Sequence, residues 1–230
     1  MYANFFKRLL DFLLSLLALI ALSPILLLLM IIGAIAMRGN PFFVQPRPGK
    51  KDKNGVEKIF HLIKFRTMSN AKDANGELLP DDMRLGKYGK FIRSTSLDEL
   101  PSLINILCGD LSIVGPRPQL VRDMTFMSTE QRRRHDVRPG LTGLAQVNGR
   151  NNITWEQKFE YDLEYIEKIT FAGDVKIILQ TVGKVLKRSD TVREGTVSDM
   201  DFGDWLILNG KVDKATYDKK QEEARELLKV

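Results

Sequence analysis

The sequence is short of the residues that carry several common chemistries. It has one cysteine, Cys108, and two histidines, His61 and His135, among 230 residues. One thiol closes no internal disulfide, so a disulfide-built scaffold is excluded and a reducing compartment is expected. Cys108 falls on the apolar side of a helical segment and is read as a core residue. The two histidines lie far apart and lack metal-ligand spacing, which argues against a zinc site or a histidine-centred catalyst. No Gly-x-x-x-x-Gly-Lys-Ser/Thr and no strand-borne Gly-x-Gly-x-x-Gly occurs, so P-loop and dinucleotide-binding readings fail. No helix-turn-helix, zinc finger or aromatic-interleaved basic sheet is present, and no nucleic acid partner is expected. Internal repeats are also missing. The most telling lack is local: Phe12 to Met37 contains no charged residue.

That run exceeds the ~20 apolar residues needed to cross a bilayer. It is too long for a signal peptide, and no small-x-small cleavage site precedes Arg38-Gly39-Asn40. A straight transmembrane helix and a re-entrant helix remain. Two features favour the re-entrant form. Ser23-Pro24 sits near the middle, where proline removes a backbone donor and favours a kink. A serine hydroxyl there can satisfy the carbonyl that the kink frees. Basic residues also flank both ends: Lys7 and Arg8 before, and Arg38, Arg47, Lys50, Lys51 and Lys53 after. Both flanks carry the cytoplasmic signature, and a spanning helix satisfies only one.

The charge is uneven too. The chain holds 35 Lys and Arg against 29 Asp and Glu, a net of +6. Residues 199–230 carry −2, so residues 1–198 carry +8. Phe42–Gln45 and Lys58–Phe65 read as short strands of a hairpin, with Asn54-Gly55 as a turn signal. Residues 69–87 read as loop or short helix. Ser96-Leu-Asp-Glu-Leu-Pro opens a helix whose apolar side is Leu97, Leu100, Ile104 and Leu107. A helix is expected after Pro118 through about His135, and an irregular glycine-rich stretch from Arg138 to Asn152. Trp155–Lys168 and Ala172–Arg188 read as helices. The second of these is basic and amphipathic, suited either to a membrane surface or to packing on the domain. The last ~15 residues read as an exposed helix by propensity.

Two groups of residues suggest chemistry. Ser96 and Glu99 fit a capping box, which accounts for both without function. Asp98 is left over, in a first turn where the helix dipole favours its ionised form. An ionised carboxylate serves as a nucleophile or a Mg²⁺ ligand. The second group is cationic. Lys64 and Arg66 lie on a strand, while Arg93, Arg117, Arg138 and Arg150 sit beside turns rich in Pro or Gly. Fork-shaped guanidinium groups held in rigid turns suit phosphate. The Arg132–Arg134 triple instead reads as a solvated or lipid-facing cluster. Together these features fit a Mg²⁺-dependent transfer of a phosphate-bearing group to a lipid. A non-catalytic membrane-surface adaptor that binds acidic lipid or nucleotide is the alternative.

Four ordered motifs add a resemblance: Lys64-Phe-Arg-Thr-Met68, Ser96-Leu-Asp-Glu-Leu-Pro101, Gly115-Pro-Arg-Pro118, and Arg138-Pro-Gly-Leu-Thr-Gly143 with Gln146-Val-Asn-Gly-Arg150. From about Lys7 to Arg188 the chain resembles the bacterial sugar transferase family, in its small monotopic phosphoglycosyl transferase form. The resemblance implies a UDP-sugar donor, a polyprenyl phosphate acceptor (in bacteria usually undecaprenyl phosphate), Mg²⁺ and release of UMP. It implies Asp98 as nucleophile, Glu99 as its partner carboxylate, both as metal ligands, and Lys64 as a catalytic cation. Arg93, Arg117, Arg138, Gln146, Asn148, Arg150 and Asp162 would bind substrate, and Ser23-Pro24 would break the membrane helix. The cytosolic face of a bacterial inner membrane follows, and a homo-oligomer stays open. Leu144 and Ser102 stand where relatives often carry Trp and Gln, which predicts altered packing or lipid contact without loss of chemistry.

The expected architecture is α+β and mainly helical. Residues 1–40 form a re-entrant helix-break-helix. Residues 41–198 form a small cytosolic catalytic domain with a short β-hairpin and interfacial amphipathic helices. Residues 199–230 form a charged tail.

Overall fold

A computed structural model describes residues 2–149, 153–187 and 200–229. After one π-helical turn, helix α1 runs from Lys7 to Met37. The hairpin follows as β1 (Phe42–Lys51) and β2 (Glu57–Phe65). Short helices α2 (Asp81–Arg84) and α3 (Lys87–Ser94) lead to a 3₁₀ turn, Leu97–Ser102, and to α4 (Leu103–Cys108). Next come β3 (Ser112–Val114), α5 (Val121–Met124), a 3₁₀ turn over Gln131–Asp136, β4 (Gly140–Thr142) and α6 (Leu144–Val147). Helices α7 (Trp155–Glu167), α8 (Phe171–Lys187), α9 (Phe202–Leu208) and α10 (Lys214–Leu227) complete the chain.

Helix α1 is one continuous helix through Pro24, where the sequence reading placed a break between two. The Ser23 hydroxyl donates to the Ile20 carbonyl at 2.8 Å, the group that a proline four residues later leaves without its N–H partner. One stripe of α1 is covered along its length. Ala18, Leu19 and Leu22 pack on Phe60, Leu62, Leu103, Ile106 and Leu111. Leu26, Leu29 and Met30 pack with Phe65 and Ile92. At the far end Gly33 is required by close approach, since a Cβ there would lie 2.7 Å from the Tyr88 hydroxyl. The other faces stay bare: Leu17, Ile20 and Ile35 are exposed.

The hairpin is longer than expected, pairing Phe42 with Phe65 and Lys51 with Glu57. Pro46 and Pro48 lie inside β1. A two-stranded ribbon leaves half its N–H groups unpaired, and prolines at alternate positions place their missing donors on one edge. The helix expected after Pro118 is instead α5 plus a 3₁₀ turn, and the stretch expected to be irregular holds β4 and α6. Strands β3 and β4 pair in parallel, Ser112 opposite Gly140 and Val114 opposite Thr142. The glycines of two sequence motifs serve this crossing: a Cβ on Gly140 would stand 2.1 Å from the Gly115 nitrogen.

The 3₁₀ turn also changes which face of α4 is inward. Leu103 and Ile106 are buried, whereas Ile104 is 41% exposed. Cys108, expected in the core, is exposed. The tighter 3₁₀ winding before Leu103 offsets the 3.6-residue register on which both expectations rested. Ser102 is fully buried and donates to the Ile63 carbonyl at 2.7 Å.

Buried polar ties fix α1 to the rest. Arg8 donates to the carbonyls of Ile106 and Leu107 at 2.7 and 2.8 Å, and Arg138 to that of Gly109 at 2.7 Å. These guanidinium groups satisfy the C-terminal carbonyls of α4. Asp11 accepts from the Ser112 hydroxyl and the Ile113 N–H at 2.7 and 3.0 Å. Asp174 on α8 accepts from Tyr2, Lys7 and Tyr165 at 2.7, 2.6 and 2.9 Å. Asp174→Ala would leave the Lys7 ammonium without its carboxylate and the buried Tyr165 hydroxyl with only the Val114 carbonyl. The expected cost is about 3–5 kcal/mol, read as a lower unfolding midpoint of the detergent-solubilised chain.

Candidate active site

A cavity of about 740 Å³ gathers residues from β1, β2, both 3₁₀-flanked loops, α6, α7, α8 and the tail. That volume lies within the range of small-ligand sites. Its lining includes Lys64, Arg93, Asp98, Glu99, Arg117, Gln146 and Asp162 from the sequence reading. Arg138 and Asn148 do not line it. Arg138 caps α4, and the exposed Asn148 donates to the Leu144 carbonyl at 2.8 Å, ending α6. Arg150 lies outside the described residues.

The capping box expected at Ser96 and Glu99 is not formed. Ser96 has φ 56° and ψ 17°, in the left-handed region, and makes no side-chain cap. A non-glycine residue held there carries backbone strain, and it delivers Leu97-Asp98-Glu99 in a 3₁₀ turn. The Glu99 side chain turns into the cavity. Its Oε1 accepts from Lys64 at 2.7 Å and from Arg117 at 2.9 Å. Asp98 makes no hydrogen bond or ion pair among the described residues, although Arg93 stands close enough to act on it electrostatically. Arg93 is itself held by a 2.9 Å bond to the Thr67 hydroxyl.

The two neighbouring carboxyl groups are therefore shifted in opposite directions. Burial pushes the Asp98 carboxyl up, and the adjacent Glu99 charge adds to that; Lys64, Arg93 and Arg117 only partly offset it. Burial also works against the Glu99 anion, but Lys64 and Arg117 outweigh it and hold that carboxyl far below its usual range. Glu99 is the fixed counter-ion of the cations, and Asp98 is the open oxygen donor.

The oxygens that remain fit a hard cation. The second Glu99 oxygen and both Asp98 oxygens have no protein partner among the described residues. Mg²⁺ characteristically takes one or two carboxylates and completes its shell with water and substrate phosphate. The described residues contain no cluster of three or more His, Cys, Asp or Glu able to hold a metal alone. The donor set thus fits a metal that arrives with, or is completed by, phosphate.

Asp162 is buried and ion-paired to Arg134 at 2.6 Å, with the Arg134 guanidinium over the Phe159 ring. Burial pushes its carboxyl up to about 6 despite that partner. Arg134 also donates to the Arg117 carbonyl at 2.6 Å, so the pair orients the loop that bears Arg117. This corrects the reading of Arg132–Arg134 as a solvated or lipid-facing cluster. Arg134 is 1% exposed, the half-exposed Arg132 forks onto the buried Glu57, and the half-exposed Arg133 pairs with Glu130. Buried carboxylates drew them inward, and neither Glu57 nor Asp162 neighbours them in sequence.

The sequence reading missed Arg47 as a cavity residue. It donates to the Pro118 carbonyl at 3.0 Å, and burial, with Arg117 nearby, lowers its guanidinium to about 10. Its signal was available: Pro46-Arg-Pro48 repeats the rigid setting of Pro116-Arg-Pro118. Lys158 and Trp155, stacked at 4.5 Å, were missed as well, because both look like ordinary positions of an amphipathic helix.

A domain packed along one stripe of a long apolar helix carries a cavity that sets Lys64, Arg93 and Arg117 around Asp98 and Glu99, and that helix is long and apolar enough to cross a membrane. The chain belongs to the bacterial sugar transferase family, whose model matches residues 2–188. It is 47% identical over 180 residues to an uncharacterized sugar transferase of Bacillus subtilis (strain 168), covering 78% of this chain and 87% of that one. It is 41% identical over 189 residues to a UDP-glucose:undecaprenyl-phosphate glucose-1-phosphate transferase of Klebsiella pneumoniae, covering 78% of this chain and 40% of that protein. It is 32% identical over 203 residues to a UDP-galactose-lipid carrier transferase of Erwinia amylovora, with 81% and 41% covered. The chain thus spans most of the first relative and about two-fifths of the other two.

The opposite shifts of the pair are testable without substrate. Glu99→Gln removes the charge that raises Asp98 and leaves Lys64 and Arg117 without their counter-ion. Both changes favour the Asp98 anion, so its titration should move to lower pH. ¹³C NMR of aspartate-labelled protein reads the shift; an unmoved Asp98 resonance would break the assignment.

Proposed function

We propose that the chain transfers a sugar-1-phosphate from a UDP-sugar to polyprenyl phosphate, releases UMP, and passes through a phosphosugar covalently held on Asp98. The observation that carries this reading is the division of labour between adjacent carboxylates. Glu99 is engaged by Lys64 and Arg117, while Asp98 faces the cavity with both oxygens available.

In the first half-reaction an Asp98 oxygen bonds to the β-phosphorus of the donor. The bond from that phosphorus to the oxygen shared with the α-phosphate breaks, and UMP departs with the electron pair. In the second half, a phosphate oxygen of the acceptor bonds to the same phosphorus and the carboxylate leaves. The product is a polyprenyl diphosphate sugar. Lys64, Arg93 and Arg117 offset the phosphate charge that would otherwise repel an anionic nucleophile. Asp98 and Glu99 would hold Mg²⁺, which as a Lewis acid would neutralise further charge on the phosphate oxygens. The alternative, an adaptor binding acidic lipid through Arg132–Arg134, loses its basis because Arg132 and Arg134 are spent on Glu57 and Asp162.

The placement of α1 supports a re-entrant, single-face attachment. A helix of 31 residues is about 46 Å long, against ~30 Å of hydrocarbon. Yet its first turns bind Ile106, Leu107 and Asp174, and its last turns meet Tyr88, all on one polar domain. A spanning helix would carry one end away from that domain. Helix α8 adds a second apolar surface suited to lipid: Leu179 and Leu186 are 67% and 79% exposed, while Asp174 and Ile177 face inward and Ile178, Val182 and Val185 line the cavity. Leu179 and Leu186 project away from the protein, as an interfacial helix requires. The cavity would then lie at headgroup depth on the cytosolic side of the inner membrane, where lipid phosphate and soluble donor meet.

Four measurements test this. UMP should be released from a UDP-sugar in the presence of Mg²⁺ and polyprenyl phosphate, and Asp98→Asn should lower that rate by roughly 10³-fold or more. Without acceptor, intact-protein mass spectrometry should find a phosphosugar adduct on the wild type and none on Asp98→Asn; normal turnover by Asp98→Asn would overturn the covalent step. Because burial raises the Asp98 carboxyl, its ¹³C resonance in the metal-free wild type should titrate near pH 6, well above the usual carboxylate range. For topology, Ala3→Cys in a Cys108→Ser background should react with an impermeant maleimide only from the cytosolic side.

A further inference from the structure

Residues 200–229 lie beyond the family-matched stretch, yet they are built into the catalytic domain. Phe202 is 4% exposed and sits in a cluster with Met127, Trp155 and Phe159. The Phe202 N–H donates to Asp123 at 2.8 Å, and the Trp155 indole N–H donates to the Met200 carbonyl at 3.2 Å. Arg122 pairs with Asp201, and Tyr217 of α10 donates to Asp204 at 2.5 Å, which ties α10 onto α9. The result is that Met200 and Asp201 form part of the wall of the same cavity that holds Asp98.

We infer that this tail is a recognition element of the substrate cavity, with Met200 and Asp201 reading a neutral, hydroxyl-bearing ring of the nucleotide sugar. The inference rests on the donor proposed above. Three observations point to that chemistry. Asp162 lines the cavity with its Oδ1 buried and unbonded, an acceptor for a hydroxyl group, while Asp123 and Asp201 are engaged by the Phe202 and Leu120 N–H groups and by Arg122. The Gln146 amide, 7% exposed, lines the same cavity with neither its nitrogen nor its oxygen bonded, a donor and an acceptor held ready for a ligand. The cluster that docks the tail contains no residue of α1, so the tail meets the cavity away from the apolar helix that serves the lipid.

The test uses the full chain in detergent or nanodiscs, with UMP and a panel of UDP-hexoses as probes. Trp155 and Trp205, the only two tryptophans, both lie in the docking cluster, so intrinsic fluorescence reads binding independently of turnover. Asp201→Asn and Met200→Ala are compared with wild type, and Phe202→Ala serves as a variant that undocks the segment. Hexose preference changing fivefold or more, with UMP affinity held within twofold, supports the inference and identifies the ring as the hexose. UMP affinity falling fivefold with hexose preference intact supports it and identifies the ring as part of uridine. If the two cavity-wall variants keep both quantities within twofold while folding normally, the inference is overturned and the tail is only a brace. If wild type neither binds UDP-hexoses nor releases UMP from them, the proposed reaction fails first, and the inference with it.

Discussion

The structure depends on covering one stripe of a 31-residue apolar helix. A helix of that kind cannot stand alone in water, and a two-stranded hairpin has no independent stability either. Each supplies what the other lacks. Two hydrophobic clusters are completed by α1, one against β2, α4 and Leu111, the other against Phe65 and Ile92. The polar ties then fix where along the helix this packing occurs: Arg8 on the end of α4, Asp11 on β3 and Lys7 on α8. Since α4 follows directly on the turn that presents Asp98 and Glu99, the position of the apolar helix sets the position of the chemistry. The uncovered faces of α1 and the exposed Leu179 and Leu186 of α8 are the apolar surfaces left bare beside it.

Within the cavity, two adjacent carboxylates acquire opposite characters from their neighbours. Both suffer from burial. Glu99 recovers the cost through Lys64 and Arg117, and in doing so becomes a fixed part of the cationic wall. Asp98 has only longer-range help and stays poised, open and easily protonated. A site of this kind suits a substrate that brings several negative charges. Added phosphate relieves the crowding of Lys64, Arg93 and Arg117, just as those cations make the approach of an anionic oxygen to phosphorus tolerable. The Arg134–Asp162 pair contributes indirectly, by fixing the Arg117 backbone.

The sequence was most informative where local physics dominates. The uncharged run from Phe12 to Met37, the serine that serves the carbonyl freed by Pro24, helices α7 and α8, and the charge imbalance between body and tail are all properties of neighbouring residues. Ordered motifs then marked Lys64, Asp98, Glu99, Arg117 and Gln146, and the structure brings these five to one cavity. The motifs were less able to separate roles. Arg138 and the paired glycines of Gly115 and Gly140 belong to the same signatures, yet they cap α4 and permit β3 and β4 to touch.

What sequence could not decide was which partner each side chain would choose. Ser96 and Glu99 have the spacing of a capping box, but Glu99 gains more from two cations brought in by β2 and the Arg117 loop than from one backbone N–H. Arg132–Arg134 looked solvated because their carboxylates, Glu57 and Asp162, are distant in the chain. The 3₁₀ turn ahead of α4 rotated its buried face by an amount that residue periodicity does not encode, leaving Cys108 outside. The tail is the largest case: polar and helix-forming by composition, it still docks, because Phe202 finds an aromatic pocket made by Met127, Trp155 and Phe159. Composition and spacing determined the apolar helix, the charge and the list of candidate groups. Burial and pairing across the fold determined which carboxylate stays open, which cations face it, and what closes the cavity, because those depend on distances that only the folded chain establishes.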